Sequence, residues 1–451
     1  MNILYIHSHD TGRGIQPYSP HVATPNLQRL ADQGVLFRQA FCTSPTCSPG
    51  RAGLLTGQYP HQCGQWGLSN LGYPLEHPER HWVTTLKKAG YHTALLGVQH
   101  VAADELDLGY DEVREDTIGG AQGVRDPELC ANQVGPAAEA WLREHAGDDA
   151  PWFLDAGTIQ THCASWRRLG PHERPTQHQI DRAQPASGMP NTPEAREWQA
   201  LHQAVARQLD DGMGRILSAL EETGQADNTL VIYTTDHGMG LPMHKSSLHD
   251  GGLEVSLIIR APGDFIGGKT IHAPVSHLDV FPTLCDLCGI PEPAWLEGKS
   301  LRPLVRGKVE RYHDALFGEI NVHGHPQPER TVRTERYRLI RKWFIDDERP
   351  YDNTDKKAVI NQLHDAGWPQ CMGPGRPVES GVSDYLYDLY LDPQQRCDRA
   401  GDPAYTEVYA ELAAKIETWM IETRDPVLTK GVDGIPQAKP YVRPSLAERQ
   451  R

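Results

Sequence analysis

Strand-sized apolar runs alternate with amphipathic stretches along roughly the first 300 residues of the chain. A helical pattern opens at Thr24-Pro25 and ends at Gly34, and a much longer one covers Glu194–Glu222, with its apolar residues on one stripe. The strand-sized runs are Asn2–Ile6, Thr93–Leu96, Trp152–Ala156 and Leu230–Thr234. Strands that alternate with helices in this way predict a doubly wound α/β sheet with helices on both faces.

The pattern changes after about residue 305. Three elements are predicted there, two antiparallel strands and a closing helix: Thr331–Lys342, Ser383–Leu389 and Pro403–Arg424. Turn residues are concentrated between Pro350 and Pro377, and the chain after Pro426 is predicted to be an extended or poorly ordered arm. We therefore divide the chain into a large α/β domain over residues 1–305 and a smaller α+β domain over residues 306–451.

Composition excludes several classes of partner. The 451 residues include 44 Lys and Arg against 59 Asp and Glu, which gives a formal charge of −15. Sequence-independent binding to nucleic acid or to an anionic membrane needs a basic surface, so neither partner is expected. The odd cysteine count of 9 favours reduced thiols over a disulfide framework. Cys285 and Cys288 have the spacing of a redox pair, but they lie in an apolar helical stretch and are interpreted as part of a core helix. No leader peptide or membrane span is visible, which predicts a cytoplasmic protein.

Polar side chains follow three of the predicted strands at the point where each strand ends. His9 and Asp10 follow the first strand, His100 follows the second, and Asp236 and His237 follow the last. The carboxyl ends of parallel strands meet at one edge of a sheet, so we expect these side chains to converge. A single His–Asp pair is more typical of a turn or a helix cap, but two such pairs in one context favour a metal site.

A candidate nucleophile lies in the segment Cys47-Ser48-Pro49-Gly50-Arg51. A cysteine at a helix N-terminus, with an arginine four residues later, would have a lowered pKa and could act as a thiolate nucleophile. On the residues alone, a buried structural cysteine is the better explanation of an arbitrary motif of this kind.

The motif Cys47-x-Pro49-x-Arg51, followed by Leu54-Leu55-Thr56-Gly57, resembles the signature of the type I sulfatases of the alkaline-phosphatase superfamily. The resemblance covers almost the whole chain and is nearest to the sulfamidase-like (N-sulfoglucosamine sulfohydrolase) branch. Stretches that carry it include Ala23–Leu27, Leu36–Phe41, Pro190–Pro193, Asp227–Ile232, Leu386–Leu389 and Trp419–Pro426. It implies an alkaline-phosphatase-like central sheet, mixed but mostly parallel and flanked by helices, with a smaller α+β C-terminal domain.

The resemblance also implies a chemistry for Cys47. In that family a formylglycine-generating enzyme, or an anaerobic sulfatase-maturating enzyme, oxidises the cysteine to formylglycine. One hydroxyl group of the hydrated aldehyde attacks sulfur, and the other later expels sulfate. The maturation enzyme is therefore an expected partner.

Family metal ligands fall on His9, Asp10, Cys47, Asp236 and His237. Two of these residues are histidines where the family usually has Asp and Asn. Calcium prefers oxygen ligands, whereas imidazole suits transition metals. The resemblance implies one divalent cation, Ca²⁺ first and Mn²⁺ second, with His9 either a ligand or a neighbour of the ion.

Four further residues match catalytic positions of the family. Arg51 would orient the formylglycine diol, and His100 would take a proton from it when sulfate leaves. His162 would protonate the departing nitrogen or oxygen atom of the substrate. Lys245 falls where the family places a sulfate-binding cation, nine residues after Asp236.

Substrate selection is assigned to basic residues of the smaller domain. His323 and Arg330, with Arg333 beside them in sequence, lie in a segment that covers the substrate pocket in the sulfamidase-like branch. They would pair there with a uronate or a second sulfate, although an ordinary basic strand explains them equally well. The weaker candidates are His7, His244 and His249.

Three functions remain open at this point. Hydrolysis of a sulfate ester or sulfamate on a small sulfated sugar, with N-sulfoglucosamine as first choice, is the leading prediction. A phosphonate or phosphate diester hydrolase is the first alternative, since related enzymes combine the same nucleophile with an Asp–His metal pair. A catalytically degenerate, glycan-binding homologue is the second. Val98 in place of the family lysine and Gly50 in place of the usual Ser or Ala support it.

The charge distribution bears on the size of the substrate. The predicted site gathers Arg51, Lys245, a metal ion and several histidines within a chain of net charge −15. One positive pocket inside an acidic surface predicts a small, deeply held sulfated end group rather than a long polymer lying across the protein.

Overall fold

A computed structural model of the protein describes residues 1–114, 133–323, 325–343, 376–379 and 381–439. Its strands form two sheets. The larger sheet contains β1 (Asn2–Ser8), β2 (Val35–Phe41), β3 (His92–Gly97), β4 (Glu112–Arg114), β5 (Trp152–Gly157), β6 (Thr229–Thr235), β7 (Glu254–Val255), β8 (Leu257–Arg260) and β9 (Lys269–Ser276). The smaller sheet contains β10 (Leu316–His323), β11 (His325–Arg333), β12 (Tyr337–Lys342), β13 (Arg376–Glu379) and β14 (Val382–Asp388).

The larger sheet is mixed but mostly parallel, as predicted. Its strands follow the order β4-β3-β5-β1-β6-β8-β2-β7, and β9 pairs with β2. Neighbours are parallel from β4 to β6, whereas β8 runs antiparallel to both β6 and β2. Strands β3, β5, β1 and β6 therefore point their carboxyl ends toward the same edge of the sheet.

Helices connect these strands and close the smaller domain. They are α1 (Pro25–Gln33), α2 (Cys47–Thr56), α3 (Pro60–Cys63), α4 (Trp82–Lys88), α5 (Val134–Glu144), α6 (Cys163–Trp166), α7 (Gln177–Arg182), α8 (Pro193–Glu222), α9 (Asp250–Leu253), α10 (Val280–Cys288), α11 (Arg302–Val305), α12 (Thr406–Glu422) and α13 (Val427–Lys430). The long predicted helix is α8, and the Thr192 hydroxyl group at its start accepts a hydrogen bond from the Ala195 N–H (3.3 Å).

Two apolar cores cover the two faces of the larger sheet. Alternate residues of β1 belong to different cores, because successive side chains of a strand point to opposite faces. Ile3 and Tyr5 lie in one core, and Leu4 and Ile6 lie in the other, against the apolar stripe of α8. The predicted arrangement of helices on both faces is thereby confirmed.

The smaller sheet is antiparallel in the order β10-β11-β12-β14-β13. Thr331–Lys342 was expected as one strand but belongs to two, because a turn with a hydrogen bond from the Thr334 N–H to the Tyr337 carbonyl (2.8 Å) reverses the chain. The arm expected after Pro426 begins with the short helix α13, whose Val427 is buried. Most of the predicted turn-rich segment lies outside the described residues. The domain boundary at residues 305 and 306 falls between the two sheets and stays a prediction.

Two expectations from composition can be compared with the structure. In the part of the chain that the structure describes, no helix is both long and apolar enough to cross a membrane. Every cysteine in the same residues is a free thiol. Cys285 is buried within α10, as expected of a core helix.

Candidate active site

The polar residues that follow the strands meet at the carboxyl edge of the larger sheet. His9 and Asp10 come directly after β1, and Asp236 and His237 come directly after neighbouring β6. The two pairs are joined by a hydrogen bond from the Asp10 N–H to Asp236 Oδ1 (2.9 Å). Asp10 takes a left-handed backbone conformation (φ 56°), which is uncommon for residues other than glycine and recurs at functional sites.

Five buried side chains form a cluster that could hold a metal ion. One potential ligand atom from each of His9, Asp10, Cys47, Asp236 and His237 lies within 4.8 Å of all the others. His9 Nδ1 lies 2.8 Å from Asp10 Oδ1 and 3.0 Å from Asp236 Oδ2. His237 Nε2 lies 3.3 Å from Asp10 Oδ1. The structure thus brings together every residue that was predicted as a metal ligand.

The surroundings of His237 orient it as a ligand. Its Nδ1 lies 2.9 Å from the Gly238 carbonyl, so Nδ1–H donates there and the Nε2 lone pair faces the cluster, 3.5 Å from Cys47 Sγ. The cluster therefore offers two imidazoles, two carboxylates and a group at position 47. This donor set fits a divalent cation.

The cluster perturbs the ionisation of its own members. Burial would raise the pKa of Asp236, but His237, His9 and Arg51 outweigh it and lower the pKa to about 2. Burial is outweighed at His9 too, where the neighbouring anions raise the pKa to about 9. The thiol of Cys47 has a pKa well below its usual range, because Lys245 and His9 overcome its burial. The charged forms of Asp236, His9 and Cys47 are therefore favoured even though these groups are buried.

Arg51 lies one helical turn after Cys47, on the same face of α2. Its buried guanidinium donates from Nη2 to Asp236 Oδ2 (3.1 Å) and from Nη1 to His7 Nδ1 (2.5 Å). Arg51 Nε has no hydrogen-bond partner among the described residues. The helix can come this close because position 50 is glycine, where a Cβ would lie 2.9 Å from the Asp236 carbonyl oxygen. Gly50 thus has a packing reason in this chain.

Lys245 and His162 lie beside Asp10. Lys245 Nζ donates to both oxygens of the Asp10 carboxylate, at 3.0 Å and 2.9 Å. His162 Nε2 lies 3.8 Å from Asp10 Oδ2, and its ring centroid is 4.8 Å from that of His9. Burial lowers the pKa of His162 to about 3, so its imidazole is neutral around neutral pH.

His100 reaches the same cluster from the end of β3. Its ring centroid is 5.8 Å from that of His9, and its Nε2 lies 3.2 Å from Asn70 Oδ1. Donation from Nε2–H to Asn70 leaves Nδ1 as an acceptor, which is buried without a hydrogen-bond partner in the described residues. Sequence reasoning missed Asn70, because it comes from a short turn that carries no motif.

The residues predicted to select substrate separate in the structure. His323 Nδ1 lies 3.0 Å from the hydroxyl group of Ser246, the residue after Lys245, and is therefore near the site. Arg330 is fully buried, and its Nε lies 2.5 Å from Asp425. Its guanidinium belongs to the core of the smaller domain, which corrects the expectation that Arg330 reaches substrate.

Arg333 and two of the weaker candidates lie together elsewhere. Arg333, His244 and His249 line a cavity of about 550 Å³. Arg333 Nε pairs there with Asp250 Oδ1 at 3.0 Å. The third weaker candidate, His7, contacts Arg51 directly, so it is closer to the site than the sequence indicated.

Comparison with known proteins defines the class of this enzyme. The sulfatase family profile matches residues 1–290, and the profile described as "N-sulphoglucosamine sulphohydrolase, C-terminal" matches residues 238–367. The chain belongs to the sulfatase family and is a hydrolase of sulfate esters or sulfamates.

Individual relatives and solved structures agree with this assignment. Human N-sulphoglucosamine sulphohydrolase is 27% identical, covering 90% of this chain and 86% of the relative. An ulvan-active sulfatase from Formosa agariphila is 30% identical, with 94% and 82% covered.

A solved structure described as a complex with its substrate D-glucosamine-2-N,6-O-disulfate has a TM-score of 0.71 at 18% identity, covering 94% of this chain and 98% of that one. A phosphonate monoester hydrolase from Silicibacter pomeroyi has a TM-score of 0.68 at 20% identity, with 95% and 97% covered. These two likenesses confirm the fold.

Proposed function

We propose that this protein is a formylglycine-dependent sulfatase that removes sulfate from a small sulfated sugar, with an N-sulfated glucosamine end group as its first substrate. The observation that carries the proposal is the convergence of Cys47, Arg51 and Lys245 on one buried cluster of metal-type ligands. The names of the human relative and of the sugar complex support the choice of sugar.

The cations of the site suit the charge of a sulfuryl group. A hydrated aldehyde at position 47 would supply the nucleophilic hydroxyl group. Arg51, with one unpartnered N–H, and Lys245 would stabilise the negative charge that develops on the sulfuryl oxygens in the transition state. Because these groups are already buried and fixed, they need little reorganisation during the reaction.

The two histidines beside the cluster suit opposite proton transfers. His100 presents an unpartnered Nδ1 acceptor and would take a proton from the group at position 47. His162 is on the side of Asp10 and Lys245 and would donate a proton to the leaving group. The anionic substrate would raise the pKa of His162 from its low value in the substrate-free site, because a nearby negative charge favours the imidazolium form.

For the metal, the donor set favours a transition ion. Calcium was the first expectation, but His9 and His237 place two imidazole nitrogens beside the carboxylates of Asp10 and Asp236. Manganese accepts such mixed sites, whereas calcium prefers oxygen. We infer Mn²⁺ ahead of Ca²⁺. Metal content and calorimetric titration should show this preference, and the double variant His9→Asp/His237→Asn should shift it toward Ca²⁺. An unchanged preference in the double variant would overturn the inference.

One experiment tests the nucleophile. The protein is produced with and without a formylglycine-generating enzyme, and the peptide that contains Cys47 is analysed by mass spectrometry. Conversion of Cys47 is expected only with the enzyme, and turnover should rise with the converted fraction. A thiol that stays unmodified in the presence of the enzyme would refute the formylglycine mechanism.

A second assay tests the substrate class. N-sulfoglucosamine, sugar O-sulfates, an aryl phosphonate and a phosphate diester are compared under identical conditions. The Asp236–His237 pair and the likeness to a phosphonate monoester hydrolase favour the phosphorus substrates as the second candidate function. We expect the sulfated sugars to have the highest kcat/KM. Faster hydrolysis of the phosphorus substrates would reverse the order, and binding of sulfated sugars without turnover would favour the glycan-binding alternative.

A further inference from the structure

A buried chain of hydrogen bonds lies behind Arg51, away from the metal-type ligands. Arg51 Nη1 donates to His7 Nδ1 (2.5 Å), and His7 Nε2 lies 3.0 Å from Asp155 Oδ1. The hydroxyl group of Tyr110 donates to the other oxygen, Asp155 Oδ2 (2.6 Å). His7 is 2% exposed and Asp155 is 1% exposed, so water does not compete with these bonds.

The chemistry of the partners fixes the state of His7. A guanidinium only donates hydrogen bonds, and a carboxylate only accepts them. An imidazole that bridges the two must accept at Nδ1 and carry its proton on Nε2. His7 is therefore a neutral link between the cation of Arg51 and the anion of Asp155.

The surroundings of His7 are shaped to hold its ring in this position. The ring of Tyr5 stacks on it with centroids 4.7 Å apart. On the neighbouring strand, His7 is opposite Gly157, where a Cβ would overlap the imidazole. Tyr5 is opposite Asp155 in the same register. Strands β1 and β5 thus supply both the hydrogen-bond partner and the space.

We propose that His7, Asp155 and Tyr110 are positioning residues that hold the Arg51 guanidinium in its catalytic orientation. Arg51 contacts Asp236 through Nη2 alone because Nη1 is held by His7, and Nε remains available to the reacting groups. Without these hydrogen bonds, only Asp236 and a long contact from Nη2 to the Ser8 carbonyl (3.4 Å) would hold the guanidinium. It could then turn to form a bidentate pair with Asp236, a carboxylate of the metal cluster. The inference rests on the proposed role of Arg51 in sulfate hydrolysis.

Substitutions in the hydrogen-bonded series His7–Asp155–Tyr110 should affect kcat far more than KM. For mature enzyme of equal formylglycine content, His7→Ala and Asp155→Ala should lower kcat about 10- to 100-fold, with KM changed less than about twofold. His7→Gln keeps one acceptor and one donor and should recover most of the loss. Tyr110→Phe removes only the outermost hydrogen bond and should have the smallest effect.

A matched control separates positioning from general destabilisation. His202 is also buried, but its Nε2 bonds to the Gly14 carbonyl and it makes no contact with Arg51. His202→Ala should therefore leave kcat within about twofold even if it lowers the melting temperature as much as His7→Ala. Equal losses of kcat in the two variants would overturn the proposal.

A double-mutant cycle tests whether His7 and its hydrogen-bond partners act through Arg51. His7→Ala should add less than about threefold to the loss caused by Arg51→Lys, since the ammonium group of a lysine has no planar fork for His7 to orient. Full additivity would refute the positioning role. The proposed function is tested apart from it by Cys47→Ala. If Cys47→Ala retains turnover, the mechanism fails; if it abolishes turnover while His7→Ala matches its control, only the positioning role fails.

Discussion

Two buried clusters in this molecule both combine aspartates with basic side chains, but they serve different ends. One is the active-site cluster of His9, Asp10, Cys47, Asp236 and His237, together with Arg51 and Lys245. The other consists of the arginine pairs of the smaller domain, Arg330–Asp425 and Arg341–Asp384. In the arginine pairs, every guanidinium nitrogen has a partner; Arg341, for example, binds both Asp384 oxygens at 2.9 Å and 2.8 Å.

In the active-site cluster, not every nitrogen atom has a hydrogen-bond partner. Two of its nitrogen atoms, His9 Nε2 and Arg51 Nε, are buried without hydrogen-bond partners among the described residues. A buried polar group left unsatisfied costs about 1–3 kcal/mol. A folded chain tolerates that cost where a ligand will later satisfy the group. Incomplete pairing therefore separates Arg51 of the site from Arg330 and Arg341 of the smaller domain, although other buried groups, such as Arg338 Nε, also have no partner among the described residues.

The largest expected effect is on the active-site side of this comparison. Cys47→Ala should lower turnover of mature enzyme by more than about 10⁴-fold, over about 5 kcal/mol of transition-state stabilisation, because no other residue replaces the nucleophile. Its melting temperature should change little, since the side chain is small and α2 remains intact. Steady-state assays and thermal unfolding check both statements. Residual activity near wild type would remove Cys47 from the mechanism.

Arg330→Ala should have the opposite effect, a large loss of stability with little change in kcat. It leaves Asp425 buried without its partner, which we expect to destabilise the fold by about 3–5 kcal/mol in urea unfolding. The folded fraction should keep its kcat, because Arg330 lies in the core of the smaller domain. Arg306→Ala, which breaks an exposed pair with Asp264, is the control and should cost less than about 1 kcal/mol.

Much of this arrangement could be predicted from sequence, because strand ends carry a strong signal. The His9–Asp10 and Asp236–His237 pairs follow apolar runs, and parallel strands bring such ends together. The fate of Arg330 could not be predicted. Its partner Asp425 is 95 residues away in sequence, and only the tertiary fold joins them. A basic residue in a strand looks the same whether it faces a substrate or a buried carboxylate.

The residues behind the site were missed for a related reason. Asp155 lies inside a buried strand rather than at its end, so the pattern indicated only a core position. Asn70 lies in a three-residue turn without a motif. His7 was only a weak candidate, and the predicted strand ended before it, at Ile6, whereas β1 extends to Ser8. Its partners Arg51 and Asp155 are 44 and 148 residues away, and that separation hides their connection.

A substitution of Lys245 in the active-site cluster should have an effect of intermediate size on kcat/KM. Lys245→Ala removes the cation that binds both oxygens of Asp10, and kcat/KM should fall about 100-fold, or about 2.7 kcal/mol. Lys342→Ala is the control from the smaller domain, where Lys342 Nζ lies 3.6 Å from Glu329. The control should change kcat/KM less than about twofold. Comparable losses in the two variants would mean that Lys245 is only a structural cation.

The smallest expected effect concerns buried histidines that belong to neither cluster. Burial lowers the pKa of His81 and of His202 to about 4, from 6.5. Above pH 6.5 both states of the protein keep these imidazoles neutral, so they make no pH-dependent contribution. Below pH 6.5 the unfolded chain binds protons that the folded chain does not, so the free energy of unfolding should fall as pH falls toward 4.

The slope should be about 1.4 kcal/mol per pH unit for each histidine. His202→Gln keeps a donor for the Gly14 carbonyl but cannot titrate, so it should lose one histidine's share of the slope. Urea unfolding at pH 7, 6 and 5 measures the slope of the free energy of unfolding against pH. A variant with the wild-type slope would show that His202 is protonated in the fold, as a histidine in a charged cluster would be. The contrast between His202, which is neutral, and His9 of the active site, whose pKa is raised, would then disappear.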